Sequence, residues 1–313
     1  MAAGEHPRDT GARAGSHTNG PTGPPFASAS VIRGRFSSPK SRPRSHFCPF
    51  PVSVPYLVKK LLYLLLPCLA SAAPFTAFRD GETFVYRVSF LLFSHAGDIT
   101  IAARDQTYDG KAVMSVTTDT RSRGFVRGLY AFDNNAEVLI EKGTGRMLRV
   151  KEKGADPKRA TDTEVAFNYE THLAQYTDRV RTERSVEIPI PEGDPVDLIS
   201  ALVQTRDWNL KPGDKRDLLV QFGRDFYPLT ILAEGFEEVR TPLGTYNTLV
   251  LVPRMETEPK GLFKKGGEIK VWISQDASNL PVKMQLKLNF GAATLLLSKY
   301  TFTPVIARAD VER

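Results

Sequence analysis

Residues 267–274, GEIKVWIS, and residues 282–290, VKMQLKLNF, decide the fold, because apolar and polar side chains alternate along both runs. A period of two residues places successive side chains on opposite faces of a β-strand, so each run predicts a strand with one buried and one solvated face. The intervening residues 275–279, QDASN, are mostly turn formers. Together the three segments predict an antiparallel hairpin.

The same period recurs along most of residues 74–313, interrupted by short segments that favour bends. Asp109-Gly110 is the clearest of these, because both residues tolerate the positive φ that a two-residue hairpin turn requires. Other bends are expected at Ala96-Gly97, Gly143-Thr144-Gly145, Gly235 and Pro242-Leu243-Gly244. A mainly β fold of about ten to twelve strands in a curved, mostly sequential antiparallel meander is therefore predicted. Its strands are expected at residues 82–93, 98–106, 112–118, 137–141, 146–151, 215–222, 226–233, 236–240, 245–252, 267–274, 282–290 and 294–302.

One segment, residues 194–203, DPVDLISALV, breaks the period. Asp194 is a candidate N-cap, Pro195 suits the first helical position, and Leu198, Ala201 and Leu202 follow at helical spacing. The segment predicts one short helix of about ten to thirteen residues. Packed on a curved sheet, such a helix would cover one mouth or the concave face.

Residues 56–73 have the order of a secretory signal peptide: Lys59-Lys60, an apolar run, then small residues ending at Ala72 and Ala73. The apolar run is shorter than the roughly 18–20 residues that cross a bilayer, so an uncleaved anchor is the weaker alternative. Cys68 would suit a lipoprotein, but Pro67 stands where the lipobox has Gly or Ala. We expect cleavage near Ala72 or Ala73 and an exported product in the periplasm or cell envelope.

Residues 1–55 are rich in Gly, Pro, Ser and Arg and lack a periodic apolar pattern. Such a composition does not bury enough surface to fold. These residues are expected to be a disordered leader, or translation starts downstream at Val54, Leu57 or Val58. The working protein is then residues 74–313, a single β-rich domain.

Charge and cysteine content exclude several function classes for residues 74–313. Of the 42 basic and 35 acidic residues of the chain, nine and two fall in residues 1–73, which leaves 33 of each. The folded part is neutral and lacks the basic footprint of a nucleic-acid-binding protein. Cys48 and Cys68 both precede it, so disulfides and a thiol nucleophile are excluded.

Catalytic motifs are absent from residues 74–313. His95 and His172 lie far apart without cysteine partners, so neither a metal site nor a cofactor is expected. Glu237 and Glu238 are neighbours on a strand and point to opposite faces. An enzyme would have to use scattered carboxylates such as Asp225, Glu234 and Glu268. We therefore assign no catalytic residue, and a hydrolase is the third choice of function.

Several segments resemble bacterial exported proteins of the family called domain of unknown function 3108. The resemblance spans roughly residues 78–300 and rests on turn, strand and packing residues, so it implies a fold and no chemistry. It implies an envelope protein of antiparallel β-structure, similar in outline to the half-barrels or open barrel-like sheets of outer-membrane lipoprotein carriers. The segments are FRDGETFVY at 78–86, Asp197, Ser200 and Arg206, Gly213-Asp214, EVRTPLGTY at 238–246, VWISQD at 271–276 and Leu280-Pro281-Val282.

Two features suggest contact with other molecules. Trp272 lies on the polar face of its strand, where a large aromatic side chain either packs across strands or lines a binding groove. Residues 256–267 place Leu262 and Phe263 next to Lys264 and Lys265, and residues 121–130 have the same character around Phe125 and Arg127. An apolar tip ringed by cations suits an anionic membrane surface, although a solvated loop fits equally well.

The predicted export, the zero net charge of residues 74–313 and a long meander without catalytic motifs favour a non-enzymatic envelope protein. We expect it to bind a hydrophobic or lipidic ligand between sheet and helix, with Leu198, Leu202, Phe90 and Trp272 as candidate contacts. Peripheral membrane contact is a further expectation. The alternative is an envelope scaffold whose sheet edge docks a partner protein.

Overall fold

A computed structural model describes residues 75–255, Phe263, 267–288 and 291–303, in which one β-sheet dominates. Residues 1–74, with the predicted leader and signal peptide, lie outside the described residues. The described part contains fifteen strands and two short α-helices, α1 (Gly124–Leu129) and α2 (Leu198–Gln204), besides 3-10 turns at Thr182–Arg184 and Thr205–Asp207. The strands are β1 (Glu82–Phe90), β2 (Phe93–Tyr108), β3 (Lys111–Ser122), β4 (Asp133–Glu141), β5 (Met147–Asp156), β6 (Arg159–Asn168), β7 (Leu173–Asp178), β8 (Val186–Pro189), β9 (Val196–Asp197), β10 (Lys215–Phe222), β11 (Asp225–Thr241), β12 (Gly244–Arg254), β13 (Glu268–Ser274), β14 (Pro281–Leu288) and β15 (Gly291–Phe302).

The sheet is a meander that runs outward in both directions from its centre. Strands β1 to β8 follow one another on one side, β15 back to β9 on the other, and β1 pairs with β15 in the middle. Neighbouring strands are antiparallel except for the short parallel pair of β9 and β10. Because almost every strand pairs with its neighbour in sequence, short turns suffice to connect them.

The sheet is open, but it curls until its two edges approach each other. The edge strands β8 and β9 are joined only by residues 190–195, a connection that spans roughly 20–25 Å when fully extended. Near these edges, Phe226 of β11 packs against a buried cluster of Val165, Ala174, Tyr176 and Ile190. The prediction of a mainly β, curved and open barrel-like sheet is thus confirmed in outline.

The prediction of ten to twelve strands is wrong, because the described residues form fifteen. Strands β6, β7, β8 and β9 were not predicted, since they are short or largely polar. Two predicted bends are absent: β11 continues through Gly235, where the register shifts as in a β-bulge, and Ala96-Gly97 lies within β2. The prediction of a single helix is also wrong, because α1 occupies part of the expected loop 121–130.

The first hairpin turns earlier than its sequence suggests. Phe90 pairs with Phe93, so the turn is Leu91-Leu92, and Ala96-Gly97 lies within β2. Leucine is not a turn-forming residue, so alternation alone extended the predicted strand to Phe93. At the opposite end of β2, Asp109 and Gly110 both adopt positive φ, 50° and 73°, as the hairpin prediction requires.

Helix α2 begins at Leu198, later than predicted. Its N-cap is Asp197, whose Oδ1 accepts hydrogen bonds from the backbone N–H groups of Ile199 at 2.9 Å and Ser200 at 3.1 Å. Asp194 and Pro195 precede the helix, because Val196-Asp197 pairs with β10 as β9. The 3-10 turn Thr205–Asp207 then extends α2.

The Asp197 cap is expected to make the stability of the fold depend on pH. Burial raises the pKa of the Asp197 carboxyl, more than hydrogen bonds from Ser200 and Ile199 lower it. The folded state therefore holds this proton more tightly than the unfolded chain, whose pKa is about 4. The resulting stabilisation is complete below about pH 4 and is lost as the pH rises through the folded-state pKa.

Asp197→Asn keeps a capping side chain but removes the charge. We expect wild type to lose stability relative to Asp197→Asn as the pH rises from about 4 towards 7. Urea denaturation across this range measures the difference between the two proteins. Asp197→Ala is the control, because loss of the cap should cost about 0.5–2 kcal/mol. A constant difference between wild type and Asp197→Asn would contradict the prediction.

Most of the main core lies on the concave face of the sheet. Phe84 and Tyr86 of β1, Met114 of β3, Leu251 of β12 and Leu297 of β15 are among its buried side chains. Ala201 and Val203 of α2 belong to the same cluster, so the helix packs inside the curved sheet. This agrees with the predicted position of the helix.

Strand polarity defines two ends of the sheet. At one end of the sheet, β1, β3 and β14 terminate and β2, β4, β13 and β15 begin. We call this the apical end, and the opposite one the basal end. The Leu91-Leu92 turn and helix α1 lie at the apical end. The Asp109-Gly110 turn lies at the basal end.

Candidate functional site

A buried ion pair fixes the C-terminal end of helix α2 at the basal end. Arg206, in the 3-10 extension, places Nη1 at 2.9 Å and 3.0 Å from the two carboxylate oxygens of Glu82, the first residue of β1. Glu82 is fully buried and Arg206 nearly so. A charge so deep in the protein is tolerated only when it is paired and hydrogen-bonded.

Further hydrogen bonds complete this basal network. The Arg206 guanidinium also donates to the backbone oxygens of Ala77 at 3.1 Å and Ser278 at 3.1 Å. The Tyr300 hydroxyl donates to Glu82 Oε1 at 2.7 Å. The network therefore ties α2 to β1, to β15 and to the turn between β13 and β14.

Tyr86 adds a neutral donor beside this pair. Its hydroxyl donates to the backbone oxygen of Pro281 at 2.8 Å. Burial raises the pKa of the Tyr86 phenol far above its usual value, so the group stays protonated. The basal end is thus closed by side chains whose polar atoms are satisfied.

An apolar cavity of about 470 Å³ occupies the space between the first turn of α2 and the apical half of the sheet. This volume falls within the roughly 300–1,000 Å³ of small-molecule sites. The polar residues that border it are Thr120, Arg121, Ser122 and Gln285, of which Thr120 and Ser122 share the face of the apolar lining. The other lining residues are Val88, Ala96, Gly97, Ile99, Phe132, Leu198, Ile199, Leu202, Ile269, Met284, Leu286, Ala293 and Leu295.

The lining residues lie close to the apical ends of their strands. Val88 precedes the end of β1 by two residues, Ser122 ends β3, and Ala293 follows the start of β15 by two residues. The basal network therefore closes one end of the sheet and the cavity lies near the other. Such an arrangement suits an apolar molecule that enters from the apical end.

The four predicted ligand contacts separate into two groups. Leu198 and Leu202 line the cavity. Phe90 pairs with Ala293, so it faces the same side at the apical rim, but it is not part of the wall. Trp272 lies on the opposite face, because its neighbour Val271 pairs with the cavity residue Met284.

Trp272 packs across strands, which is the first of the two roles considered for it. It is 3% exposed, and its Nε1 donates to Glu237 of β11 at 2.8 Å. The ammonium of Lys283 on β14 lies 3.8 Å from the ring centroid, within cation–π range. Trp272 is therefore a packing residue of the outer face, and its prediction as a ligand contact is corrected.

The other cavity residues were not recognised from the sequence. Ile199, Phe132 and Leu295 come from elements far apart in the chain. Alternation predicts that β15 has a buried face, but it does not predict that this face borders a cavity. The helical spacing that marked Leu198 and Leu202 was the one usable signal.

The structure places the predicted membrane contacts in different environments. Leu262, Lys264 and Lys265 lie outside the described residues. Phe263 is half-buried and packs against the main core, rather than forming an exposed tip. Phe125 is exposed on α1, and Arg127 is bound to Asp133 by contacts of 2.8 Å and 3.0 Å.

The described residues assemble no group of three or more His, Cys, Asp or Glu side chains suited to a metal ion. His95 Nε2 lies 2.7 Å from Asp98 Oδ1, and Arg123 donates to the same carboxylate at 2.8 Å. Burial raises the pKa of Asp98, but these two hydrogen bonds outweigh it and hold the pKa below its usual value.

Among the scattered carboxylates, Glu234 binds Arg254 and Lys270, each at 3.1 Å, and Glu268 lies 3.5 Å from Lys270. Asp225 lies at the start of β11, beside Tyr227, and forms no part of the cavity wall. Within the described part of the chain, neither helix has the length and apolar character of a membrane-spanning segment.

Residues 85–298 match the model of a family described as protein of unknown function DUF3108. The chain belongs to this family. The resemblance seen in the turn and packing residues is thereby confirmed. No curated protein matches the chain significantly.

Three solved structures are similar to the chain at low sequence identity. A β-barrel-like DUF1849 protein from Brucella abortus has 7% identity and a TM-score of 0.47, over 71% of this chain and 97% of its own. A protein from Parabacteroides distasonis described as a candidate lipoprotein has 11% identity and a TM-score of 0.26, over 71% and 96%. A candidate exported protein with a YmcC-like fold from Bacteroides fragilis has 10% identity and a TM-score of 0.27, over 73% and 99%.

Proposed function

We propose that this DUF3108 protein is an exported, non-enzymatic envelope protein that binds a hydrophobic or lipidic ligand in the apical cavity. The observation that carries the proposal is the cavity of about 470 Å³ between α2 and the sheet, whose wall is almost entirely apolar. The signal-peptide pattern at residues 56–73 supports export.

The wall chemistry indicates the class of ligand. Each methylene group transferred from water into such a site contributes about 0.8 kcal/mol. Thr120 pairs with the wall residue Ile99, so its hydroxyl lies on the cavity face and is able to hold a small polar head group. The ligand we propose therefore has an acyl-like tail and a small polar head.

The proposal is tested by filling the cavity from β15. Ala293 lines the cavity, and its neighbour Ala292 lies on the other face of the same strand. Both are half-buried alanines, so Ala292→Phe is a matched control for Ala293→Phe. We expect Ala293→Phe to weaken binding of a fluorescent fatty acid about tenfold or more, and Ala292→Phe to leave it unchanged.

Native mass spectrometry of protein recovered from bacterial envelopes supplies the second measurement. Wild type and Ala292→Phe should carry a lipid that Ala293→Phe lacks, while thermal unfolding shows all three to be folded. Equal probe binding by all three proteins, with no lipid bound to wild type, would contradict the proposal. Crosslinking that recovers one stoichiometric partner protein would then favour the scaffold alternative.

A further inference from the structure

The apical end carries a cluster of exposed apolar side chains on two adjacent elements. Leu91 and Leu92 form the β1–β2 turn, with Leu92 97% exposed. Phe125, 68% exposed, and Leu129, 67% exposed, lie on α1. Phe93 stacks on Phe125 with ring centroids 5.6 Å apart, which joins the two elements. We call these five residues the apical cluster.

The turn is unfavourable for its own backbone. Leu91 has φ 52°, in the left-handed region that a two-residue hairpin usually fills with Gly or Asn. The basal turn of the same strand, Asp109-Gly110, meets the same requirement with suitable residues. A leucine pair here combines strain with exposure of apolar surface, and such strain concentrates at functional sites.

The charges around the apical cluster are balanced. Three arginines border it, and each forms an ion pair of 2.8 Å with an aspartate: Arg121 with Asp119, Arg123 with Asp98 and Arg127 with Asp133. None of these three arginines is left unpaired to attract an anionic surface. The attraction that the described residues offer at this end comes from apolar side chains.

The size of the cluster decides between possible occupants. Five side chains expose roughly a few hundred Å², whereas a stable protein interface buries about 800 Å² on each partner. A hairpin tip and a short helix also project rather than form a groove. Insertion into a bilayer requires no complementary surface, so it suits a small projecting cluster.

The cavity lies directly beside this cluster. Gly97 and Ser122 of its wall are close in the chain to Phe93 and Phe125, and Phe132 follows α1. We propose that the apical cluster inserts into the interfacial region of a phospholipid membrane, independently of lipid charge, with the cavity facing the lipids. This inference goes beyond ligand binding and does not depend on it.

The test is co-sedimentation with vesicles of phosphatidylcholine alone and with added phosphatidylglycerol, at low and high salt. Leu92→Ser combined with Phe125→Ser should lower the partition coefficient about tenfold or more. Leu243→Ser is the control, because Leu243 is an exposed leucine in a hairpin turn at the basal end. All variants share the same N-terminal residues, so differences between them arise from the substituted side chains.

Lipid charge and salt are expected to change the partition of wild type very little. Leu91→Asn should also weaken partition without lowering the melting temperature, because Asn tolerates the left-handed conformation. Ala293→Phe should bind vesicles like wild type, which separates this inference from the ligand proposal.

Three outcomes would overturn the proposal. The first is equal partition of wild type and the double variant. The second is binding that requires phosphatidylglycerol and disappears at high salt. The third is a dimer in sedimentation velocity that the double variant converts to a monomer, which would assign the apical cluster to self-association.

Discussion

Arg206→Met is expected to lower the free energy of unfolding by about 3–5 kcal/mol, because it leaves the Glu82 carboxylate buried without its partner. The two groups meet at 2.9 Å and 3.0 Å in a site from which water is excluded. Tyr300 would still donate to the carboxylate, but a neutral hydroxyl does not replace a guanidinium. The loss is measured by urea denaturation followed by far-ultraviolet circular dichroism.

Arg123→Met is the matched control, because Arg123 forms an ion pair of 2.8 Å with Asp98 in a half-exposed position. An exposed pair contributes at most about 1 kcal/mol, so this variant should resemble wild type. The double variant Glu82→Gln with Arg206→Met should cost less than the sum of the two single changes, because it removes both charges together. Equal costs for Arg206→Met and Arg123→Met would contradict the assigned role.

The basal network also connects the stability of the fold to the shape of the cavity, through helix α2. Arg206 anchors the C-terminal end of α2, and the same helix supplies Leu198, Ile199 and Leu202 to the wall. The helix has seven residues, so the two ends are about 10 Å apart. Loosening one end of so short a helix is expected to alter the other.

Local rules were sufficient for the central hairpins. Alternation and the residues between them identified β13 and β14, and Asp109-Gly110 marked the turn between β2 and β3. In these segments the propensity, the apolar period and the turn chemistry all favour the same structure. Where one of them was missing, as in the polar strand β6, the prediction failed.

The candidate site is formed by contacts between residues far apart in the chain, which no local sequence pattern predicts. Glu82 and Arg206 are separated by 124 positions, and each alone has the character of an ordinary surface charge. Both stood in segments that carry the family resemblance, which marked them without explaining them. The Leu91-Leu92 turn was missed for the opposite reason, since its residues favour a strand and the backbone turns despite them.

Trp272→Ala is expected to cost about 3–5 kcal/mol of the free energy of unfolding, the range for loss of a large buried aromatic side chain. The indole is 3% exposed between Glu237 and Lys283, with its Nε1 bonded to the carboxylate at 2.8 Å. Trp272→Phe keeps most of the packing and loses the hydrogen bond, so a smaller cost of about 1–3 kcal/mol is expected. Urea denaturation followed by circular dichroism measures both.

Binding of the fluorescent fatty acid distinguishes packing from ligand contact at Trp272. Because Trp272 lies on the face opposite to Met284, Trp272→Phe should bind the probe with wild-type affinity despite its lower stability. Ala293→Phe should show the reverse, with weakened binding and little loss of stability. If Trp272→Phe instead weakened binding as strongly as Ala293→Phe while remaining folded, the ligand would have to reach the outer face of the sheet. The assignment of the apical cavity as the binding site would then be wrong.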